Sequence, residues 1–594
     1  MKSVPFQNLT VTDGFWAERQ KICIEHTFPA VYGQFKETGR ISTMNCQKQE
    51  ISPHHFWCSD VFKWLEGAAY ILRDNKIEEM YKAADDVINM ITTAADEDGY
   101  YNSYFQNPDC PEKRFTKRAL HELYSFGHMI EAAVAFHTSM NDDRLLELAC
   151  RSVELINRVF RVEKSAPFIT PGHQEIELAL VRLYDVTGNK MHLDLAEYFI
   201  RMRGNNNIDD FCYGKDGIQI QEFAPAPEQK EAWGHSVRAV YMYSAIADLA
   251  DRLNDFALFK TADALFDDIY NKKMYITGGI GSSAYGEAFA REYYLPNRQA
   301  YTETCASLGL ALFSSRMYKM KPDSKYGDAC EKALLNSMIS GLSLDGECFF
   351  YENPLEMNPE RRGLANVHDC QPVRVKVFSC SCCPPNLVRL IPSVGNFIYT
   401  YDDDKLFVHQ YIANEGTVDG CNVKMDTKYP ADGRISIKYN GAKALVLRRP
   451  AWCDKVVCGK AYTEKDGYLY FDTNEVTIEF VMEPAFYAAS QKVYECSGKA
   501  ALMRGPIVYC LEGKDNDFSI LNCRVDTNAP VTVSDETYGG YPILYAKGEI
   551  AENTPGLYSK VTNDAPKEVT LKYIPFYTFA NRGEDYMTVW VNKQ

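Results

Sequence analysis

The hydrophobic period of this 594-residue chain changes near residue 395, and few folds accommodate such a change. From about residue 15 to 340 the apolar positions repeat as on helices. Val61, Trp64, Leu65, Ala68 and Leu72 stand at i, i+3, i+4, i+7 and i+11, and Ile176, Leu180, Leu183, Tyr184 and Thr187 repeat the stripe before Gly188. Beyond Ile391-Pro392-Ser393-Val394-Gly395 the pattern alternates instead. Arg434–Tyr439, Val476–Phe480, Glu568–Tyr573 and Met587–Val591 read as half-buried strands, with Asp432-Gly433 and Asn440-Gly441 as tight turns between strands.

Four turns in the helical part share one plan: a helix ends on a small polar loop around asparagine, and an amphipathic alanine-rich helix follows. They are Arg73-Asp74-Asn75-Lys76, Ser139-Met140-Asn141-Asp142, Thr187-Gly188-Asn189-Lys190 and Arg252-Leu253-Asn254-Asp255. The intervals between their asparagines are 66, 48 and 65 residues, as expected for a repeated helical pair with insertions of different length. An open solenoid has this signature, but the long, uneven loops favour a closed ring of pairs, an α/α toroid. The short antiparallel strands that follow predict β-sandwich, jelly-roll-like domains. The expected division is a toroid over 1–395, one sandwich over 396–498 and a second over 499–594.

The length calls for several cores, and 46% apolar with 24% charged residues is ordinary for a soluble protein. The net charge of −16 argues against nucleic acid or an anionic membrane as a partner, since each needs a basic face. It also disfavours acidic substrates. The first residues carry no apolar leader and no run of eighteen apolar residues occurs, so a cytoplasmic location is expected. A homodimer is compatible with this composition.

Nineteen cysteines are an odd number without regular spacing, yet seven of them fall between Cys305 and Cys383. Adjacent cysteines such as Cys382 and Cys383 make a strained ring if joined to each other, so they suit a metal better. Pro384 and Pro385 restrict the backbone there, and an extended turn is expected. Glu303 and Cys305, in Glu303-Thr304-Cys305, complete a set of three thiols and a carboxylate for tetrahedral zinc. Cys380 is a rival ligand, and the bland alternative is a group of incidental buried residues.

Glu287 lies in the glycine-rich loop Gly278–Phe289, which lacks the lysine of a phosphate cradle. Such a carboxylate is either a general acid or a solvated loop residue. His128, His173 and His235 each follow a glycine and are expected to face one end of the ring, although a lone histidine is more often structural. Trp57, Trp64, Trp233, Tyr285 and Tyr351 offer sugar-stacking faces or ordinary core, with core favoured for Trp64.

Tyr301-Thr302-Glu303-Thr304-Cys305-Ala306, Phe350–Glu356, Cys380-Ser381-Cys382-Cys383-Pro384-Pro385-Asn386 and Leu502-Met503-Arg504-Gly505-Pro506 together resemble the β-L-arabinofuranosidases of glycoside hydrolase family 127. The resemblance runs from Gly14-Phe15-Trp16 to Leu447–Trp452 and beyond, and the two cysteine motifs carry it. It implies an (α/α)₆ barrel followed by β-sandwiches, zinc on Glu303, Cys305, Cys382 and Cys383, Cys382 as nucleophile, and Glu287, sixteen residues before Glu303, as acid/base. It further implies His235 and Tyr351 as substrate contacts, Glu331 as a hydroxyl acceptor, and a cleft histidine matching His121 or His128. One departure is Cys58, before Ser59-Asp60, where the family pattern has an aspartate; it bears on sugar preference and leaves the zinc chemistry untouched.

The chemistry so implied is retaining hydrolysis of a small oligosaccharide or glycoside. Two other classes fit the residues: a sugar-binding or scaffold protein with an inert structural zinc, and an α/α-barrel epimerase or lyase using His235 and His173.

Overall fold

The computed structural model describes residues 1–48, 50–205, 216–361, 371–550, 557–558, 560 and 565–594. Its helical part contains α1 (Gly14–Ile22), α2 (Phe28–Glu37), α3 (Trp57–Leu72), α4 (Glu78–Ala94), α5 (Glu122–Met140), α6 (Arg144–Asn157), α7 (Ile176–Thr187), α8 (Lys190–Met202), α9 (Ser236–Leu253), α10 (Phe256–Asp268), α11 (Thr304–Met320), α12 (Ser324–Lys332) and α13 (Cys383–Leu390).

These helices are of two kinds. α3, α5 and α9 are buried on nearly every side. In contrast, α4 buries only the stripe Met80, Ala83, Ala84, Val87, Ile88 and Ile91. A helix apolar all round belongs inside, and one with a single stripe belongs on the outer face. Packing follows that rule: α3 meets α5, α5 meets α7, α7 meets α9, α9 meets α11, α11 meets α13, and α13 returns to α3. α4, α6, α8, α10 and α12 each pack on the inner helix that precedes them.

Three of the asparagine turns work through capping. Asn141 and Asn254 end α5 and α9 in the left-handed region (φ 54 and 52), and Asn189 caps α8 by accepting from the Met191 amide at 3.1 Å. The seam between α3 and α13 is tight at Gly67, where an added Cβ would stand 2.5 Å from Val388 Cγ1 and 2.8 Å from the Val388 carbonyl oxygen.

The β part holds two six-stranded sheets. One runs Lys2–Ser3, Tyr399–Tyr401, Lys405–Val408, Ala444–Arg448, Tyr468–Tyr470, Thr463–Lys465; the other runs Val456–Cys458, Glu475–Phe480, Arg434–Tyr439, Cys421–Thr427, Asn414–Val418, Leu9–Val11. Alternation sets the register: Ile435 opposes Ile478 and Ile437 opposes Val476, with all four buried. The N-terminal strands thus join sheets whose other strands follow residue 395. A further ten-stranded sheet begins with Pro484–Tyr487, pairs it with Lys499–Arg504, and recruits Glu356–Met357 from the helical part.

Arg448 joins the two parts. From its strand it reaches Asp328 and Glu331 of α12, each at 2.5 Å. Among the described residues no helix is long and apolar enough to cross a membrane.

Candidate active site

Two chain reversals bring the sulfurs together. In the first, Thr302 takes a left-handed conformation (φ 40). Its hydroxyl donates to the Asn353 carbonyl at 2.5 Å, while the Asn353 amide donates to the Thr302 carbonyl and to Thr304 Oγ1, each at 3.0 Å. Glu303 is thereby fixed immediately before α11, and Cys305 sits in the first turn of that helix.

In the second, Cys382 immediately precedes α13 and Cys383 begins it. The extended turn expected from Pro384 and Pro385 is instead a helix start: Cys382 is helical (φ −71, ψ −30). Proline is tolerated in a first turn because the missing amide has no intrahelical partner there. Both sulfurs consequently sit at the positive end of a helix, which favours thiolate.

Cys305 Sγ lies 3.1 Å from Cys383 Sγ and 3.6 Å from Cys382 Sγ, and the adjacent pair is separated by 3.8 Å. Glu303 Oε1 is 3.7 Å from Cys382 Sγ and 3.8 Å from Cys383 Sγ. A tetrahedral zinc with Zn–S near 2.3 Å would hold its sulfurs about 3.8 Å apart, so this donor set fits the ion with a small opening between Cys305 and Cys383. Glu303 Oε2 is buried without a hydrogen-bond partner, as suits a carboxylate reserved for a cation. Asn386, one turn along α13, donates to Cys305 Sγ at 3.0 Å and is itself held by Arg389 at 2.7 Å. Cys380 stands outside the set and lies 3.9 Å from the Tyr351 hydroxyl.

Within the cluster the thiols differ in acidity. Hydrogen bonds from Cys305, Cys380 and Cys383 hold the Cys382 thiol well below its ordinary range. Burial raises Cys305 and Cys383, and burial together with the Cys382 charge raises Glu303.

Cys382, Glu303 and Glu287 line one cavity of about 400 Å³, together with His121, His173, His235 and Tyr351. The Tyr351 hydroxyl is 3.3 Å from Cys382 Sγ. Glu287 adopts φ 54 after Gly286 at φ 72, and a Cβ on Gly286 would stand 2.6 Å from Gln219 Oε1, so the tight loop requires glycine there. His235 Nε2 donates to Glu287 Oε2 at 2.7 Å, while its Nδ1 accepts from the Arg238 amide at 3.4 Å. Burial, with the Arg238 charge, lowers the His235 pKa. For Glu287, burial pushes the carboxyl up, but the His235 contact outweighs it and the net shift is downward.

The structure separates the expected residues. Glu287, Glu303, Cys305, Cys382, His173, His235 and Tyr351 share the cavity, whereas His128 does not. His128 is fully buried beneath Tyr124, with Nδ1 3.1 Å from Glu175, and His121 takes the cavity position with its ring 5.5 Å from that of His173. The correction follows from α5: His121 immediately precedes the helix and lines the cavity, and His128 is nearly two turns further along it. Glu331 is corrected too. Its oxygens are taken by Arg448, the Tyr429 hydroxyl and Trp452 Nε1, away from the cavity. Cys58 is buried against Ser103 and Ser125 and does not line the cavity.

Asp60 was not among the expected site residues. It lines the cavity, is 1% exposed, and is held by Arg40 Nε at 3.1 Å. An acid inside the apolar stripe of α3 was the signal that could have found it.

Two family models match the chain: Beta-L-arabinofuranosidase, GH127 catalytic domain, over residues 8–396, and Glycoside hydrolase family 127 C-terminal domain, over residues 484–592. Fold and site therefore define a glycosidase. A non-reducing end β-L-arabinofuranosidase of Bifidobacterium longum subsp. longum is 32% identical over 658 aligned positions, covering 98% of this chain and 99% of the relative. The crystal structure of a family 127 β-L-arabinofuranosidase from Geobacillus stearothermophilus T6 matches with a TM-score of 0.92 and 36% identity, over 99% of this chain and all of that one. A second solved family 127 β-arabinofuranosidase matches with a TM-score of 0.90 and 32% identity, over 100% of this chain and 98% of its own. The chain belongs to glycoside hydrolase family 127. The scaffold and the epimerase or lyase readings give way to this assignment.

Proposed function

We propose that the protein is a retaining β-L-arabinofuranosidase acting on a small glycoside, with Cys382 as nucleophile, Glu287 as acid/base, and zinc held by Glu303, Cys305, Cys382 and Cys383. The observation that carries the reading is the double position of Cys382. Of the adjacent pair it alone lines the cavity, yet it shares the metal-binding cluster, and Glu287 lines the same cavity. When bound, zinc would keep the sulfurs as thiolates near neutral pH.

The protein's own groups account for the remaining steps. Cys382 Sγ attacks the anomeric carbon as the bond to the leaving oxygen breaks, and Glu287 donates its proton to that oxygen. The sugar is then carried on sulfur as a thioglycoside. Glu287, now a carboxylate, takes a proton from water, the water oxygen attacks the anomeric carbon, and Cys382 leaves as thiolate. Two displacements return the β configuration. His235 orients Glu287, and His121, His173 and Tyr351 offer hydrogen bonds to ring hydroxyls. The cavity has the size of a small-ligand site.

The test is an arabinofuranosyl reagent bearing a haloacetamide, with peptide mapping of the product. Labelling of Cys382, and β-L-arabinose as the first product seen by NMR, are expected. Labelling elsewhere, or an α product first, overturns the mechanism. An inert structural zinc, with the four donors filling the tetrahedron, would leave Cys382 unlabelled.

The closed succession of α3, α5, α7, α9, α11 and α13 supports an (α/α)₆ toroid, and the paired six-stranded sheets support a β-sandwich. A second, jelly-roll-like β domain after residue 499 is part of the proposal, and the pairing of Pro484–Tyr487 into its sheet supports a start nearer residue 484. A reducing, cytoplasmic setting suits thiols that must remain unoxidised to bind metal.

A further inference from the structure

We infer that the cavity contains a second, weaker divalent-cation site, made by His235, Glu287 and the carboxylate of Glu303, and that filling it inhibits the enzyme. The inference rests on the proposed reading in one respect: Glu303 is taken to serve the thiol-bound ion first.

His235 offers a ring nitrogen, and Glu287 and Glu303 each offer a carboxylate oxygen; these three atoms lie within 4.8 Å of one another. His235 Nε2 and Glu287 Oε2 are already 2.7 Å apart. Ligand bonds of about 2.0–2.2 Å from imidazole and carboxylate would require only a small spreading of that pair. Glu303 supplies the connection between the two sites. Its Oε1 faces the thiols at 3.7 and 3.8 Å, and its Oε2 is buried without a partner on a residue 1% exposed. A carboxylate with one oxygen on each of two ions is a common bridge in sites whose metals stand about 3.5–4 Å apart.

The ring proton also finds a place. His235 Nδ1 has only the 3.4 Å contact from the Arg238 amide to lose, so the imidazole can carry its proton on Nδ1 and offer Nε2 to an ion. Glu287 is a quarter exposed, which gives a hydrated cation a route in and leaves water to complete its coordination.

The donors decide both the class of ion and the order of filling. One imidazole and two carboxylates suit borderline divalent ions such as Zn²⁺ and Co²⁺, but three thiolates bind Zn²⁺ more tightly. Arg238 lines the same cavity and opposes an entering cation, which weakens the second site further. An ion there ties up the carboxylate proposed as acid/base and occupies substrate space. Excess zinc should therefore inhibit, and the inhibition should compete with substrate.

The test titrates metal-free, reduced full-length protein with Co²⁺ and with Zn²⁺, measuring bound metal by equilibrium dialysis and elemental analysis. Wild type should bind a first equivalent that gives intense sulfur-to-cobalt charge transfer, then a second that doubles the metal content and adds weak visible bands without further charge transfer. His235→Ala and the isosteric Glu287→Gln should each keep the first equivalent and lose the second. Wild type that never exceeds one equivalent overturns the inference, as does a second equivalent that survives in both variants. Absence of charge transfer with a second equivalent still dependent on His235 would instead reject the thiol site of the proposed function.

Discussion

His235 Nε2 donates to Glu287 Oε2 at 2.7 Å, and this contact holds the acid's pKa down against the burial that would raise it. In the proposed mechanism the first displacement uses protonated Glu287, so kcat/KM should fall as pH rises through the Glu287 pKa. Removing the His235 donor raises that pKa. His235→Ala should therefore move the falling high-pH limb of the kcat/KM profile to higher pH, whatever it does to the maximum. A limb that stays in place, or moves down, rejects the coupling.

Metal content separates the ligands from their rival. Cys305→Ala and Cys383→Ala should weaken zinc binding by more than the ~10- to 100-fold that loss of an outer-shell partner costs, and Asn386→Ala, which removes the donor to Cys305 Sγ, should fall within that range. Cys380→Ala removes a hydrogen bond to Cys382 but no member of the donor cluster, so its cost should not exceed that outer-shell range. Competition with a chromogenic chelator measures all four variants.

Glu287→Gln keeps the shape of the loop and cannot supply a proton. Turnover of alkyl arabinofuranosides should drop by about 10²- to 10⁴-fold, the usual worth of general acid catalysis. Aryl glycosides with acidic phenols need little protonation and should lose much less. Equal losses across a leaving-group series would remove Glu287 from the acid role.

How much of this was legible in the sequence depended on what each signal encodes. Period reported helices and strands well, because it reflects which side of an element is buried, and Asn141, Asn189 and Asn254 marked turns because capping chemistry is local. Spacing could not report depth along a helix. His121 and His128 differ by nearly two turns of α5, and only the folded chain shows that the first reaches the cavity. Nor could period reveal partners distant in sequence: Lys2–Ser3 and Leu9–Val11 pair with strands about four hundred residues away. Pro384 and Pro385 suit both an extended turn and a helix start, and the packing of α13 on α3 goes with the helix.

That packing can be probed at Gly67. Its α-carbon faces Val388 so closely that an added methyl would meet a backbone oxygen at 2.8 Å, which cannot rotate away. Gly67→Ala should cost about 1–3 kcal/mol of stability as an overpacked contact. α13 begins with Cys383, directly after Cys382, so zinc affinity should fall with stability. Alanine at Gly188, whose added Cβ meets nothing within 4 Å but whose φ of 66 is strained for alanine, should lower stability and leave zinc affinity alone.

Glu331 gives the sharpest contrast between a substrate ligand and a structural charge. It is 1% exposed, and Arg448, Tyr429 and Trp452 reach it from the β part. Glu331→Gln leaves Arg448 buried with Asp328 as its remaining carboxylate, 2.5 Å away. Losing one partner of a buried ion pair typically costs about 3–5 kcal/mol, and the lower end is expected here because Asp328 remains. The denaturation midpoint should drop accordingly, while KM for an arabinofuranoside, measured well below the transition, should stay within about twofold, since a group that does not contact substrate contributes nothing to its binding. A raised KM with unchanged stability would return Glu331 to the cavity.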